Sequence, residues 1–458
     1  MTLLTTIPGV RGRVLRRGEE GYENVRRGEC WHDRVPTRYP ELIVLATGED
    51  DVVGAVQLAR REGLQIAVRS GGHSWSGSHL RDGTVLIDLS NLREVEVDVA
   101  ARTGSVQPGI TGWELSSMLA PQGLFFPTGH STGVGIGGYL LQGGFGWSGR
   151  EYGPACLSVT AVDVVTASGE LVRADETQHS DLFWAARGAG PGFFGVVTRF
   201  HLALYPRRDV TMISSYGFPV ATIPDVLGFV HEMGRQTPAE IIAMITRNPA
   251  NGGELEVQLH AKAYTDTEEE AREQLALFES CPARPQALWT MLEVPTDHVT
   301  LTRMADGGRF ADSKRWMADN VGTRADFRDL WPTVQDLVET WPDSWESHVL
   351  IFNWDNDAQP PRPPMAFDLE GDLFYSVYAA WDDPAEDDEH IRWVTDHVRA
   401  LEPTATGTML ADENLAHRPF RFMSDENLLR LDELRTRWDP DGLFVAWLGR
   451  PELTTQEG

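Results

Sequence analysis

Cysteine is scarce in this chain of 458 residues: Cys30, Cys156 and Cys281 lie far apart, with no Cys-x-x-Cys pair and no histidine at metal-ligand spacing. A disulfide framework and a zinc site are therefore excluded as organising devices, and no metal is expected. Basic charge is also short, 40 Lys and Arg against 68 Asp and Glu, giving a formal charge of -28. Such a surface repels nucleic acid and anionic membranes, so neither is expected as a partner. No stretch of about 18 consecutive apolar residues occurs, the minimum for a membrane-spanning helix. Met1 to Val10 also lacks the basic segment and apolar core of a secretion signal. A cytoplasmic protein, monomer or homodimer, is the expectation.

With 41% hydrophobic residues the chain can bury a real core, and its length exceeds what one core usually organises. Residues 42 to 110 read as alternating α and β. A helix from about Asp51 to Glu62 carries Val52, Val53, Val56 and Ala59 on one face, and Leu64, Ile66 and Val68 alternate as a strand. Val85 to Leu89 and Val95 to Val99 supply further strands. Thr111-x-x-Glu114 is a capping box opening a helix that Pro121 and Gly123 end. Val159 to Val165, Glu170 to Ala174 and the Phe200, Leu202, Leu204 alternation are strands. From 207 to about 400 the pattern changes to long strands (Leu255 to Tyr264, His348 to Trp354, Leu373 to Trp381) and acidic helices near 267 to 279 and 384 to 400. Asn356 to Met365 reads as a loop, and a helix near Asp425 to Arg437 stops at Asp439-Pro440-Asp441-Gly442.

Glycine accumulates between Gly129 and Gly153, at 129, 133, 135, 137, 138, 143, 144, 146, 149 and 153. Each costs backbone entropy on folding, so the cluster implies positive φ angles or a backbone that something must approach closely. A strand leading into Arg69-Ser70-Gly71-Gly72-His73-Ser74 suits an anion, because glycine lets backbone N–H groups converge. The spacing is not that of a Gly-x-Gly-x-x-Gly nicotinamide site. Gly129-His130-Ser131-Thr132-Gly133 fits the Gly-x-Ser-x-Gly elbow of serine hydrolases, but Val134-Gly135-Ile136-Gly137-Gly138 after it is a poor helix start.

Residues 69 to 74, together with Asp82-Gly83 and Leu86-Ile87-Asp88-Leu89-Ser90, resemble the FAD-binding loop of the berberine bridge enzyme-like oxidases, part of the vanillyl-alcohol oxidase superfamily. The resemblance continues through Thr132 to Gly138, Gly143-Gly144-Phe145-Gly146-Trp147, Tyr152-Gly153, Asp181 to Ala185 and Phe194-Gly195-Val196-Val197-Thr198. It is fainter at Asn427 to Leu431 and Trp438-Asp439-Pro440. It implies an α+β fold: a two-part PCMH-type FAD-binding domain (1–206, with 402–458 returning to it) and a substrate domain (207–401) whose antiparallel sheet is covered by helices.

The same resemblance implies an FAD-dependent enzyme with FAD joined covalently through His73. The implied cofactor contacts are Arg69, Ser70, Gly71, Gly72, His73, Ser74, Gly129, Ser131, Thr132, Gly133, Val134, Gly137, Gly138, Gly143, Gly144, Gly146, Gly195, Val196 and Val197. Many family members add a second, cysteine anchor where this chain has Ser131, so a single attachment is expected. Valine at 134, where the family sets oxygen access, resembles the oxidases. The chain departs from the family pattern at Gln142, Phe193 and Val445-Ala446-Trp447-Leu448.

Removing a hydride from a CH–OH or CH–NH centre is easier when a base takes the heteroatom proton. The candidates are Asp412, then Tyr378 and Tyr375, then His260 and Tyr264. Alternation puts Tyr375 and Val377 on one face and Phe374, Ser376 and Tyr378 on the other. A small aromatic, alkaloid-like or natural-product substrate is expected, with O2 as acceptor and H2O2 as product. A dehydrogenase or oligosaccharide oxidase of the same family, a silent flavin binder and a hydrolase using Ser131 are the alternatives.

Overall fold

Acidic residues Glu49, Asp50 and Asp51 in the first turn, Arg60 and Arg61 in the last, and left-handed Gly63 after it define the helix Glu49–Glu62. Charges at both ends complement the helix dipole, and glycine takes the left-handed cap without steric cost. Its buried face (Val52, Ala55, Val56, Ala59) packs on a four-stranded sheet ordered Arg13–Arg16, Leu42–Leu45, Thr84–Asp88, Gln65–Arg69. The last three run parallel and the first antiparallel. The computed structural model describes residues 7–453 except 235, 308–309 and 355–359. The first four residues of the loop read at 356 to 365 therefore lie outside the described residues.

A second sheet, antiparallel throughout, is ordered Val95–Asp98, Thr103–Val106, Val196–Ala203, Val159–Val165, Leu171–Asp175. The capping box at Thr111 forms both its bonds, Glu114 N donating to Thr111 Oγ1 at 3.2 Å and Thr111 N to Glu114 Oε2 at 3.0 Å. Both sheets share one core with residues of the C-terminal segment, among them Leu428, Leu431, Phe444 and Trp447. That segment is stitched in by Ile66 N donating to Leu443 O at 2.7 Å and Val445 N to Ile66 O at 3.0 Å.

The remaining core belongs to an eight-stranded antiparallel sheet ordered Trp289–Thr296, Val210–Pro219, Leu255–Thr265, Glu240–Arg247, His348–Asn353, Leu373–Trp381, Arg315–Thr323, Ala405–Gly407. Helices Ile223–Met233, Glu268–Ala276, Phe327–Glu339 and Asp387–Ala400 cover one face, burying Val226, Leu275, Val334 and Val398 against it. Each such side chain, fully buried, is worth about 1.5–3 kcal/mol relative to exposure. Several of these strands and helices have no separate signal in the sequence, because a run such as Val210–Pro219 is buried almost throughout and shows no alternation. The opposite face carries Ile242, Phe352, Phe374 and Tyr378 toward the other core. No helix among the described residues is long and apolar enough to cross a membrane.

Candidate active site and cofactor cradle

The strand Gln65–Arg69 ends in a turn whose Gly72 has φ 69°, a left-handed conformation that favours glycine. A Cβ on Gly71 would stand 2.6 Å from Gly135 N, and one on Gly137 2.7 Å from Pro108 Cβ. The two glycine-rich segments thus touch backbone to backbone. This corrects the expectation for 134–138: a short helix, Ile136–Leu141, does form there, and its glycines permit the close approach to Pro108 and Ser70. The amides of Gly71 and Gly72 donate to no protein acceptor among the described residues. Arg69 lies between Glu29 (3.3 Å) and Asp88 (3.2 Å), and burial together with Asp88 pushes the Glu29 carboxyl up to about 8 against the pull of Arg69.

These loops wall a cavity of ≈ 290 Å³ that reaches the inner face of the eight-stranded sheet. Of the residues expected at the cofactor, Arg69, Ser70, Gly71, Gly72, His73, Ser74, Gly129, Ser131, Val134, Gly137, Gly138, Gly144, Gly195 and Val197 line it. Thr132, Gly133, Gly143, Gly146 and Val196 do not line it. Gly146 is packed against Thr128 O, and Val196 is fully buried in the core. Of the departures from the family pattern, Gln142, Phe193 and Val445 line the wall, whereas Ala446, Trp447 and Leu448 do not. Cys156 is buried with its thiol 3.9 Å from Met365 Sδ and takes no part in the wall.

His73 is held by rings: Trp31 stacks on it at 4.5 Å and 5°, and Trp75 meets it edge-on at 6.1 Å. Burial pushes its imidazole down to about 4, opposed by the Asp306 carboxylate, so the ring is neutral near pH 7. Asp306, at the end of the helix His298–Asp306, accepts from Ser131 Oγ (2.8 Å), from Thr132 N (3.2 Å) and from the Thr132 hydroxyl. Among the described residues Ser131 therefore has a carboxylate partner and no histidine, and no strand runs into it; the hydrolase elbow is not built there.

At the sheet end, Asp412 receives three donors: Trp75 Nε1 (2.6 Å) on Oδ1, and Tyr378 OH (2.6 Å) and Ser376 Oγ (3.3 Å) on Oδ2. Burial raises its pKa while those bonds, Tyr378 first, oppose the rise. Burial and the adjacent carboxylate lift the Tyr378 phenol well above its usual range. Around the pair stand Trp75, Phe310, Leu350, Phe352, Phe374 and Met409.

Three expected bases fall outside this arrangement. Tyr375 points to the helix-covered face and is packed in that core, as the two-residue period of its strand requires. His260 shares the inner face but bonds Ser215 and Gln258 and does not line the cavity; Tyr264 likewise stacks on His298 at 4.7 Å instead. Trp31, Trp75, His130 and Asp306 were not singled out by the sequence. A tryptophan near a loop reads as core packing, and Asp306 lies 175 positions from Ser131, a separation that no local pattern spans.

FAD fits these residues. The glycine contacts leave no room for side chains, two amides are free for a diphosphate, and Gln142 Oε1 and His130 Nε2 are buried without a protein partner among the described residues. A model of the FAD binding domain matches residues 40–175. The chain is 32% identical over 426 residues to FAD-linked oxidoreductase nodO of Hypoxylon pulicicidum, covering 92% of this chain and 93% of that one. Its fold is similar to that of 6-hydroxy-D-nicotine oxidase from Arthrobacter nicotinovorans, with TM-score 0.83 and 21% identity over 98% of this chain and 100% of that one. It is similar also to an isoleucine-to-valine variant of Phl p 4, a glucose oxidase (TM-score 0.81, 20% identity, 96% and 97% covered), whereas wild-type Phl p 4.0202 is a glucose dehydrogenase.

Proposed function

The chain belongs to the FAD-linked oxidoreductases, and from that premise we propose that it is a berberine bridge enzyme-like oxidase removing a hydride from a CH–OH or CH–NH centre of a small aromatic, alkaloid-like or natural-product substrate. The observation that carries this reading is the 2.6 Å contact between Tyr378 and Asp412 in the wall of a cavity continuous with the glycine cradle. FAD, when bound, supplies the two-electron acceptor. Gly71, Gly72 and the glycines at 129, 135, 137, 138 and 144 would hold it, and His73, neutral and half-buried, would be its single covalent anchor, since the Ser131 hydroxyl does not replace a cysteine thioether.

Tyr378 and Asp412 manage the proton. The Tyr378 hydroxyl oxygen faces substrate and takes the heteroatom proton while its own passes to Asp412, whose raised pKa makes it a better acceptor than an ordinary carboxylate. Trp75 and Ser376 fix the carboxylate so that no reorganisation is needed. Apolar rings around the pair exclude water and favour an aromatic skeleton; an oligosaccharide would bury hydroxyls against walls offering few partners.

Dioxygen is the proposed terminal acceptor, giving hydrogen peroxide. Valine at 134 supports this, as does the Phl p 4 pair, in which the isoleucine-to-valine variant is the oxidase. The test is a screen of aromatic amines and alcohols with an oxygen electrode and a peroxide assay. Donor-dependent flavin bleaching without oxygen uptake would replace the oxidase with a dehydrogenase, and no bleaching by any donor would leave a silent flavin binder.

A further inference from the structure

We infer that Trp31 is a positioning residue for covalent flavin attachment, presenting the His73 imidazole in the one plane from which it can bond. The inference rests on His73 being the anchor. Trp31 lies 42 positions before His73 in sequence, on the segment after the helix Tyr22–Gly28, yet its backbone N donates to Gly72 O at 3.3 Å, tying it to the residue before His73. Its ring is parallel to the imidazole within 5° at 4.5 Å. On the Cδ2–Nε2 edge of the same imidazole stands Gly133, where a Cβ would come within 3.3 Å of Cδ2. Trp75 closes a further side at 89°. An imidazole without such a slot rotates about two side-chain bonds.

Trp31 makes no other polar contribution here: its indole Nε1 is buried with no partner among the described residues. What it offers His73 is the ring plane and position. In the attachment, the imidazole loses its N–H proton and the flavin 8α-methyl loses one hydrogen as the N–C bond forms. The electron pair released leaves through the flavin to dioxygen, which with the two hydrogens becomes hydrogen peroxide. Rates of such steps follow the alignment of the reacting atoms.

The experiment compares wild type with Trp31→Phe, Trp31→Leu, Trp31→Met and His73→Ala, incubated with FAD in air. Total flavin per chain is read in the native protein, and acid-stable flavin is read over time in the precipitate. Trp31→Leu and Trp31→Met are expected to bind FAD at wild-type stoichiometry but attach it on the order of 10- to 100-fold more slowly, whereas Trp31→Phe, which keeps a stacking ring, stays near wild type. Wild-type attachment in Trp31→Leu or Trp31→Met overturns the inference. So does loss of FAD binding in both, because that makes Trp31 part of the binding site itself. Acid-stable flavin in His73→Ala would instead sink the anchor reading beneath it; loss there with normal attachment in Trp31→Leu would sink the Trp31 inference alone.

Discussion

The two ends of the cavity are built on opposite principles. The cradle, residues 69–74 and 129–146, is made of backbone brought so close that side chains are excluded, as between Gly71 and Gly135. The sheet end is made of side chains: rings around one carboxylate with three donors, drawn from the loop at Trp75, the strand at Ser376 and Tyr378, and the C-terminal segment at Asp412. A backbone site tolerates little change in shape, whereas a side-chain site can change its substrate by exchanging rings while the proton-handling pair stays in place.

The sharpest break in that comparison comes from removing one functional group at each end. His73→Ala is expected to abolish acid-stable flavin while leaving non-covalent FAD in place, read from absorbance before and after acid precipitation. Asp412→Asn should leave the flavin content untouched and slow flavin reduction by a bound donor about 10²- to 10⁴-fold, measured by anaerobic stopped flow. In the wild type the same rate should fall as pH drops, since protonating Asp412 removes the acceptor, and the fall should begin at a higher pH than for an ordinary carboxylate. Full-speed reduction in Asp412→Asn would mean that the sheet end holds substrate without moving its proton.

Next in size, Gly71→Ala forces a methyl to 2.6 Å from Gly135 N, where only backbone can give way. A stability loss of about 1–3 kcal/mol and weakened FAD binding are expected from denaturation and flavin titration. Normal values for both would show the cradle to be looser than its geometry.

Glu29 offers a pH test at the cradle end. Its folded pKa of about 8 exceeds the ordinary 4.5, so between those values the native state binds more protons than the unfolded chain, and stability falls as pH rises. Melting temperatures across that window should decline more steeply for wild type than for Glu29→Gln; parallel slopes would place the charge elsewhere.

The smallest effect is expected from Tyr375→Phe, which removes a buried hydroxyl with no partner among the described residues on the covered face of the strand that carries Tyr378. Stability and flavin reduction should both stay near wild type, whereas Tyr378→Phe should slow reduction with flavin content unchanged. Equal loss in both would erase the distinction between the two faces.

The sequence by itself determined the local and repetitive parts of this protein. Helix Glu49–Glu62 shows in its charges and its apolar stripe, Thr111 and Glu114 announce their capping box, and strand Leu373–Trp381 has its observed bounds and its two faces already assigned. The glycine loops were legible because an excess of glycine has few explanations besides close approach or left-handed backbone. Tertiary structure alone decided which residues meet. Alternation separated Tyr375 from Tyr378 but could not say which face turned inward, nor that His260 stops short of the cavity. Contacts such as Asp306 with Ser131, Trp75 with Asp412 and Trp31 with His73 join segments that have no local reason to be neighbours. Local pattern reports only the backbone geometry that a residue favours, whereas contact is set by how whole sheets and helices pack their apolar faces together.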